Sequence, residues 1–279
     1  MADTNADKYI KFTRYLYNWV EVKHSLFISI LNKNNDEALF WAYELYYSGF
    51  QDDLFEFLFK IYNNVFELLN PELHIYLNKI KNIWEEDNSK DWVVASFIYT
   101  LNTREYSIDN FVTTYLNVNC KITNTMISNK PKLCVNLDNS VCEPFQNISN
   151  IIPRKVLQHV SKYRICKEYE NIFGSFTIPD YNDYLKIFYE DWLYYCKDTP
   201  IWLERIQNYN GIIDNENKKI IFKNDNDFEK FYELWNYDTD EQDANVVQNR
   251  VGTPNQKQMS IIQFCKKYKA NIKLKTIKN

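Results

Sequence analysis

Few residues in this chain combine the types and spacings that chemistry requires. Histidine occurs three times, at His24, His74 and His159, and no Ser, Cys or Glu signature accompanies any of them. With no nucleophile elbow in the chain, they read as surface or half-buried side chains. Cysteines stand at positions 120, 134, 142, 166, 196 and 265. Zinc needs ligands close enough to share one ion, as in C-x2-C, and the nearest approach is Cys134 with Cys142, followed downstream by His159. That spacing is too loose, so the cysteines read as free thiols in a reducing compartment.

Carboxylate pairs fare no better. Asp238-x-Asp240 begins like a calcium loop, but Asp243 stands sixth where Gly is needed, and Asn249 stands twelfth where a bidentate Glu is needed. Pro179-Asp180 with Glu216-Asn217-Lys218 has the acid, acid, lysine composition of a metal-dependent nuclease, a layout that would need a larger sheet to hold it. Phosphate-cradling loops need clustered glycines. The four here, Gly49, Gly174, Gly211 and Gly252, lie far apart. The sequence therefore implies no catalytic residue, no metal site and no cofactor.

The elements that would position any site are mostly helices. Phe12, Tyr15, Leu16, Trp19 and Val20 follow helical spacing, and Leu26, Phe27, Ile30 and Leu31 continue it on a shifted face. Asn35 is an expected N-cap for a helix that Ser48-Gly49 ends. Asp52 is expected to cap a third helix through Leu69. Asn70-Pro71 restarts the chain toward Trp84, and Trp92 to Leu101 forms another helix. Residues 1–117 thus read as an N-terminal helical bundle or short helical solenoid. Residues 118–150, rich in Asn, Ser, Thr and Lys, lose periodicity and read as a linker or surface insertion. Residues 151–245 read as a C-terminal helical part. It carries a small β-hairpin, Ile212-Ile213-Asp214 against Ile220-Ile221-Phe222. The fold class expected is mostly α.

Residues 246–279 are set apart by charge. The segment holds Arg250, Lys257, Lys266, Lys267, Lys269, Lys273, Lys275 and Lys278 and no acid. That is about +8 in a chain whose net charge is −4, which leaves about −12 elsewhere. Such a tail neutralises phosphates without reading sequence, or else docks on the acidic body. The run Trp41-Ala-Tyr43-Glu-Leu-Tyr46-Tyr47 puts aromatics on every side of one helix. One face then either meets a partner, since Trp and Tyr dominate binding hot spots, or is buried beneath neighbouring helices. No stretch reaches the roughly 20 apolar residues of a membrane span. Met1 to Lys8 lacks a signal-peptide core, so a cytoplasmic setting is expected.

Residues 37–50, Glu-Ala-Leu-Phe-Trp-Ala-Tyr-Glu-Leu-Tyr-Tyr-Ser-Gly-Phe, resemble a stretch of uncharacterised proteins of giant nucleocytoplasmic DNA viruses, mimivirus-like ones especially. Asp191-Trp192 through Pro200 to Ile206, with Gly211 to Asp214 and Asp240-Glu-Gln242 beyond, carries the same resemblance. It implies a host cytoplasm or viral factory and no known activity. The expectation is a non-enzymatic helical interaction subunit of a viral replication, transcription or translation assembly. The alternatives are a nucleic-acid-binding protein acting through its tail, and the nuclease-like enzyme above.

Overall fold

The computed structural model describes residues 10–121, 134–146, 151–167, 180–254 and 258–273. They are mostly helical with one two-stranded antiparallel sheet, so the expected class and the expected hairpin are both present. Helix α1 (Trp19–Leu31) starts where the Asn18 side chain accepts from the Val20 amide. Asn34 caps α2 (Asn35–Tyr46) through the Glu37 amide, one residue before the expected cap. Gly49, at φ +87°, turns the chain out of α2. A Cβ there would meet Pro200 Cδ at 3.0 Å, so conformation and space both require glycine. Next come α3 (Gln51–Ile61) with a π turn over Tyr62–Phe66, α4 (Leu73–Glu86), α5 (Trp92–Asn102) and α6 (Asp109–Leu116). Asp52 lies inside the first turn of α3 rather than capping it, where its charge suits the helix dipole. α2 packs against α1, α3 and α5, which makes it the central helix of this half.

The later half holds α7 (Pro153–His159), α8 (Tyr181–Lys186), a π turn over Ile187–Asp191, α9 (Trp192–Tyr195) and α10 (Pro200–Asn208). Strands β1 (Gly211–Asp214) and β2 (Lys219–Phe222) follow, then α11 (Asp225–Trp235), α12 (Ala244–Val251) and α13 (Ile261–Lys267).

Helical spacing over Phe12 to Val20 predicts one helix, but the helix begins only at Trp19. Leu16 sits at φ 61°, and residues 12–18 fold back on themselves as the Thr13 amide donates to Tyr17 O and the Leu16 amide donates to Thr13 O. Every residue from Phe12 to Asn18 is buried, because this loop is wedged between the two halves. The later half supplies its polar partners. Phe12 N donates to Tyr195 O (2.8 Å), Trp202 Nε1 to Arg14 O (3.2 Å), and Tyr17 OH to Tyr163 O (2.9 Å).

One apolar core runs from Ile10 to Tyr268, so the expected parts do not have separate cores. Residues 134–146, expected within a linker or insertion, are strapped to the bundle. The Val135 amide donates to Thr100 Oγ1 (3.0 Å), the Leu137 amide to Ser96 Oγ (2.9 Å), and Cys142 is fully buried. Buried polar contacts also cross the halves. Lys167 Nζ donates to Glu21 of α1, Tyr184 OH donates to the same carboxylate, and His24 lies buried one turn further along α1.

Candidate interaction surface

The aromatic helix does not offer the expected partner face. Trp41, Tyr43 and Tyr46 are buried and Tyr47 is half-buried, because other parts of the chain cover every side of α2. Tyr17 meets Trp41 edge-on at 5.0 Å between centroids. Tyr43 OH donates to Asp91 O (3.1 Å) and lies 3.0 Å from Cys142 Sγ. Tyr46 OH donates to Asn88 O (2.8 Å) and accepts from Trp84 Nε1 (3.0 Å). Tyr47 OH donates to Asp91 Oδ2 (2.5 Å). Each phenol has a partner inside the chain, as buried Tyr requires. Burial pushes the Cys142 thiol up to about 12, which makes it an inert packing group rather than a nucleophile.

The basic segment divides in two. Arg250 is fully buried and cannot serve a phosphate. Its guanidinium donates to Tyr15 O (2.9 Å), Val246 O (3.0 Å) and Leu157 O (3.0 Å). Beyond it, α13 is docked on the bundle rather than trailing. Phe264, Cys265 and Tyr268 are buried, the Lys121 amide donates to Asn271 O (2.7 Å), and the Lys273 amide donates to Asn119 O (2.8 Å). Lys266, Lys267, Lys269 and Lys273 are exposed along this docked segment. Lys257, Lys275 and Lys278 lie outside the described residues.

The chemical candidates stay apart or serve the fold. Among the described residues no group of three or more His, Cys, Asp or Glu is placed to hold a metal. Cys134 is exposed while Cys142 is buried. Asp180 caps α8 by accepting from the Asn182 amide (2.9 Å). Glu216 sits in the hairpin turn, where its amide donates to Asp214 Oδ1 (3.0 Å). Asp238 and Glu241 both pair with Arg154, at 3.3 and 3.1 Å.

The surface that stands out is the hairpin. Gly211 pairs with Phe222, Ile212 with Ile221, Ile213 with Ile220 and Asp214 with Lys219. A Cβ at Gly211 would come within 2.7 Å of Ile206 Cγ2, so the strand lies close on α10. The inner side of β2 is filled by Phe222 against Phe231 of α11, 4.8 Å between centroids, and Phe231 is fully buried. Strand alternation then turns Ile212 and Ile221 outward together, 61% and 50% exposed. Asp214 and Lys219 form the pair beyond Ile213 and Ile220, the next one on the same face, and Phe228 of α11, 49% exposed, lies beside Phe222 at the rim. No third strand joins this sheet among the described residues. The expectations of a hairpin did not extend to this face. The signal was present, because two adjacent isoleucines in each strand of a one-sided hairpin force one of each pair into water.

No helix among the described residues is long and apolar enough to cross a membrane. Comparison with protein-family models, with curated proteins and with solved structures gave no match to the chain.

Proposed function

We propose that the chain is a non-enzymatic helical subunit that docks a protein partner through the outer face of its β-hairpin. The observation that carries this reading is the directly paired Ile212 and Ile221, both at least half exposed over a sheet whose inner side is already packed. An apolar centre flanked by the Asp214–Lys219 pair has the anatomy of a small interface, with a dry middle and a polar rim. The resemblance of residues 37–50 and 191–206 to giant-virus proteins supports a viral replication, transcription or translation assembly as the setting. The host cytoplasm or viral factory is then its location.

Changing both Ile212 and Ile221 to Asp is expected to leave the fold intact, since both side chains point to solvent. The same change should weaken partner capture from infected cells by at least about tenfold, because desolvating a charge replaces burying an alkyl group. Quantitative co-purification with the wild-type and double-variant chains reads this directly. Equal recovery of the same stoichiometric partner by both would move the interface elsewhere.

A second reading is favoured by one observation. Docking of α13 holds Lys266, Lys267, Lys269 and Lys273 on an ordered surface, as a nucleic-acid contact would need. The chain carrying Gln at all four positions should lose binding to labelled DNA and RNA, and the slope of affinity against salt should flatten by about four counterions. Fluorescence anisotropy at low and physiological salt is the measurement. No binding by the wild-type chain at low salt would discard the reading.

A further inference from the structure

The outer face of the hairpin is complementary to itself. Strands β1 and β2 have four residues each, and directly paired positions carry either the same apolar side chain or opposite charges. Ile212 stands beside Ile221, and Asp214 stands beside Lys219 two positions nearer the turn. A half-turn about an axis parallel to the strands, above the line between them, exchanges the members of each pair. We propose that this face docks a second copy of the chain by that half-turn, a proposal that rests on the hairpin face being a docking surface.

Facing sheets pack about 10 Å apart with their strands roughly aligned. In this arrangement Ile212 of each copy lies over Ile221 of the other, and β1 of each lies over β2 of the other. Both isoleucines, exposed in the single chain, are then removed from water.

The charges argue for a copy rather than for another partner. Asp214 and Lys219 are directly paired, yet neither makes an ion pair with any described residue. The Asp214 carboxylate accepts from the Glu216 and Asn217 amides at 3.0 Å and from Asn217 Nδ2 at 2.7 Å. These bonds fix it in the turn and hold its carboxyl below the usual carboxylate range, so it keeps its charge. Lys219 is exposed, and half-buried Asp191 at the end of the π turn feels it without pairing with it. The half-turn sets Lys219 of each copy over Asp214 of the other, so four charges alternate around the tip. A partner surface of one sign would satisfy only half of them, whereas a two-fold contact between copies needs a patch of this self-matching kind. Residues 211–225 hold three acids, Asp214, Glu216 and Asp225, and three lysines, Lys218, Lys219 and Lys223, so two hairpins meet without net repulsion. Strands of roughly 14 Å offer far less than the ~800 Å² per partner of a standard interface, so the dimer is weak and concentration-dependent.

The test is sedimentation velocity of the full chain from about 5 μM to ~1 mM, where a reversible dimer with a Kd on the order of 100 μM is expected. Changing both Ile212 and Ile221 to Asp should leave the chain monomeric throughout. Lys219→Glu, which sets carboxylate over carboxylate, should raise Kd by about tenfold or more while thermal melting stays cooperative. The half-turn also brings the two tips together. Glu216→Cys, an exposed turn position, should therefore be joined to its own copy by a short bismaleimide, the linkage being read by peptide mass. A wild-type chain still monomeric at ~1 mM would overturn the proposal. A dimer that survives the Ile changes would overturn the face, and a dimer without the tip linkage would overturn the half-turn. Capture of a different polypeptide through Ile212 and Ile221 by a monomeric chain would exclude the second copy and leave the docking reading standing.

Discussion

Arg250→Met is expected to cost about 3–5 kcal/mol of folding stability, because three buried carbonyls lose a donor at about 1–3 kcal/mol each, a large share of what a domain usually has. The guanidinium joins three parts of the chain, through Tyr15 O of the wedge loop, Leu157 O of α7 and Val246 O of its own helix. It also lies over the Tyr17 ring, 4.6 Å from its centroid. Methionine keeps much of the volume but leaves these carbonyls buried without their donor. Arg250→Lys should rescue little, because a single ammonium cannot reach three acceptors set around a planar fork. The midpoint of urea unfolding measures both variants. A Met variant within about 1 kcal/mol of wild type would mean that the three carbonyls find other donors. The same experiment separates Arg250 from the exposed lysines of α13, whose replacement should leave the midpoint nearly unchanged.

Acid should weaken the fold through His24. Burial, with Lys167 and then Lys23 adding repulsion, lowers this imidazole from 6.5 to about 4. Between those values the unfolded chain takes up a proton that the folded chain refuses, so stability rises with pH across the interval. The contribution is complete above pH 6.5 and is lost as pH falls toward 4, amounting to about 3 kcal/mol. Urea midpoints followed from pH 7.5 to 4 should show that slope in the wild-type chain. His24→Gln, which cannot titrate, should remove it even if the variant is less stable throughout. A slope of equal size in the variant would assign the acid sensitivity to other groups.

What the sequence made legible was what depends on neighbours a few positions away. Leu73, Leu77, Ile80 and Trp84 mark the buried stripe of α4 at helical spacing, and the turn around Asn215–Asn217 marks the hairpin. The cap of α2 was legible to within a residue, Asn34 against Asn35, whereas Asp52, expected to cap α3, lies inside its first turn. The wedge loop was not, because helical spacing reports one buried side. Phe12 to Tyr17 are buried on all sides by residues far along the chain. The aromatics of α2 told of a crowded helix without saying what crowds it, and the covers proved to be Tyr163, residues 142–145 and Trp84. Arg250 was counted with the tail's charges because sequence gives a residue's sign and not its depth. The Arg14 to Glu44 pairing, thirty positions apart, leaves no local trace either.

The wedge loop also sets an order on assembly. The Tyr15 carbonyl receives its donor from a residue 235 positions later, and the Arg14 carbonyl receives one from 188 positions later. A chain emerging from a ribosome can wind α1 to α6 early, but it cannot seal this loop until α10 and α12 have been made. Until then Phe12, Tyr15, Leu16 and Tyr17 have no lid. Closure over so long a separation is slow, and apolar surface left waiting is what chaperones hold. The nascent protein is thus an unfinished vault until then, its keystone laid well before the stones that lock it.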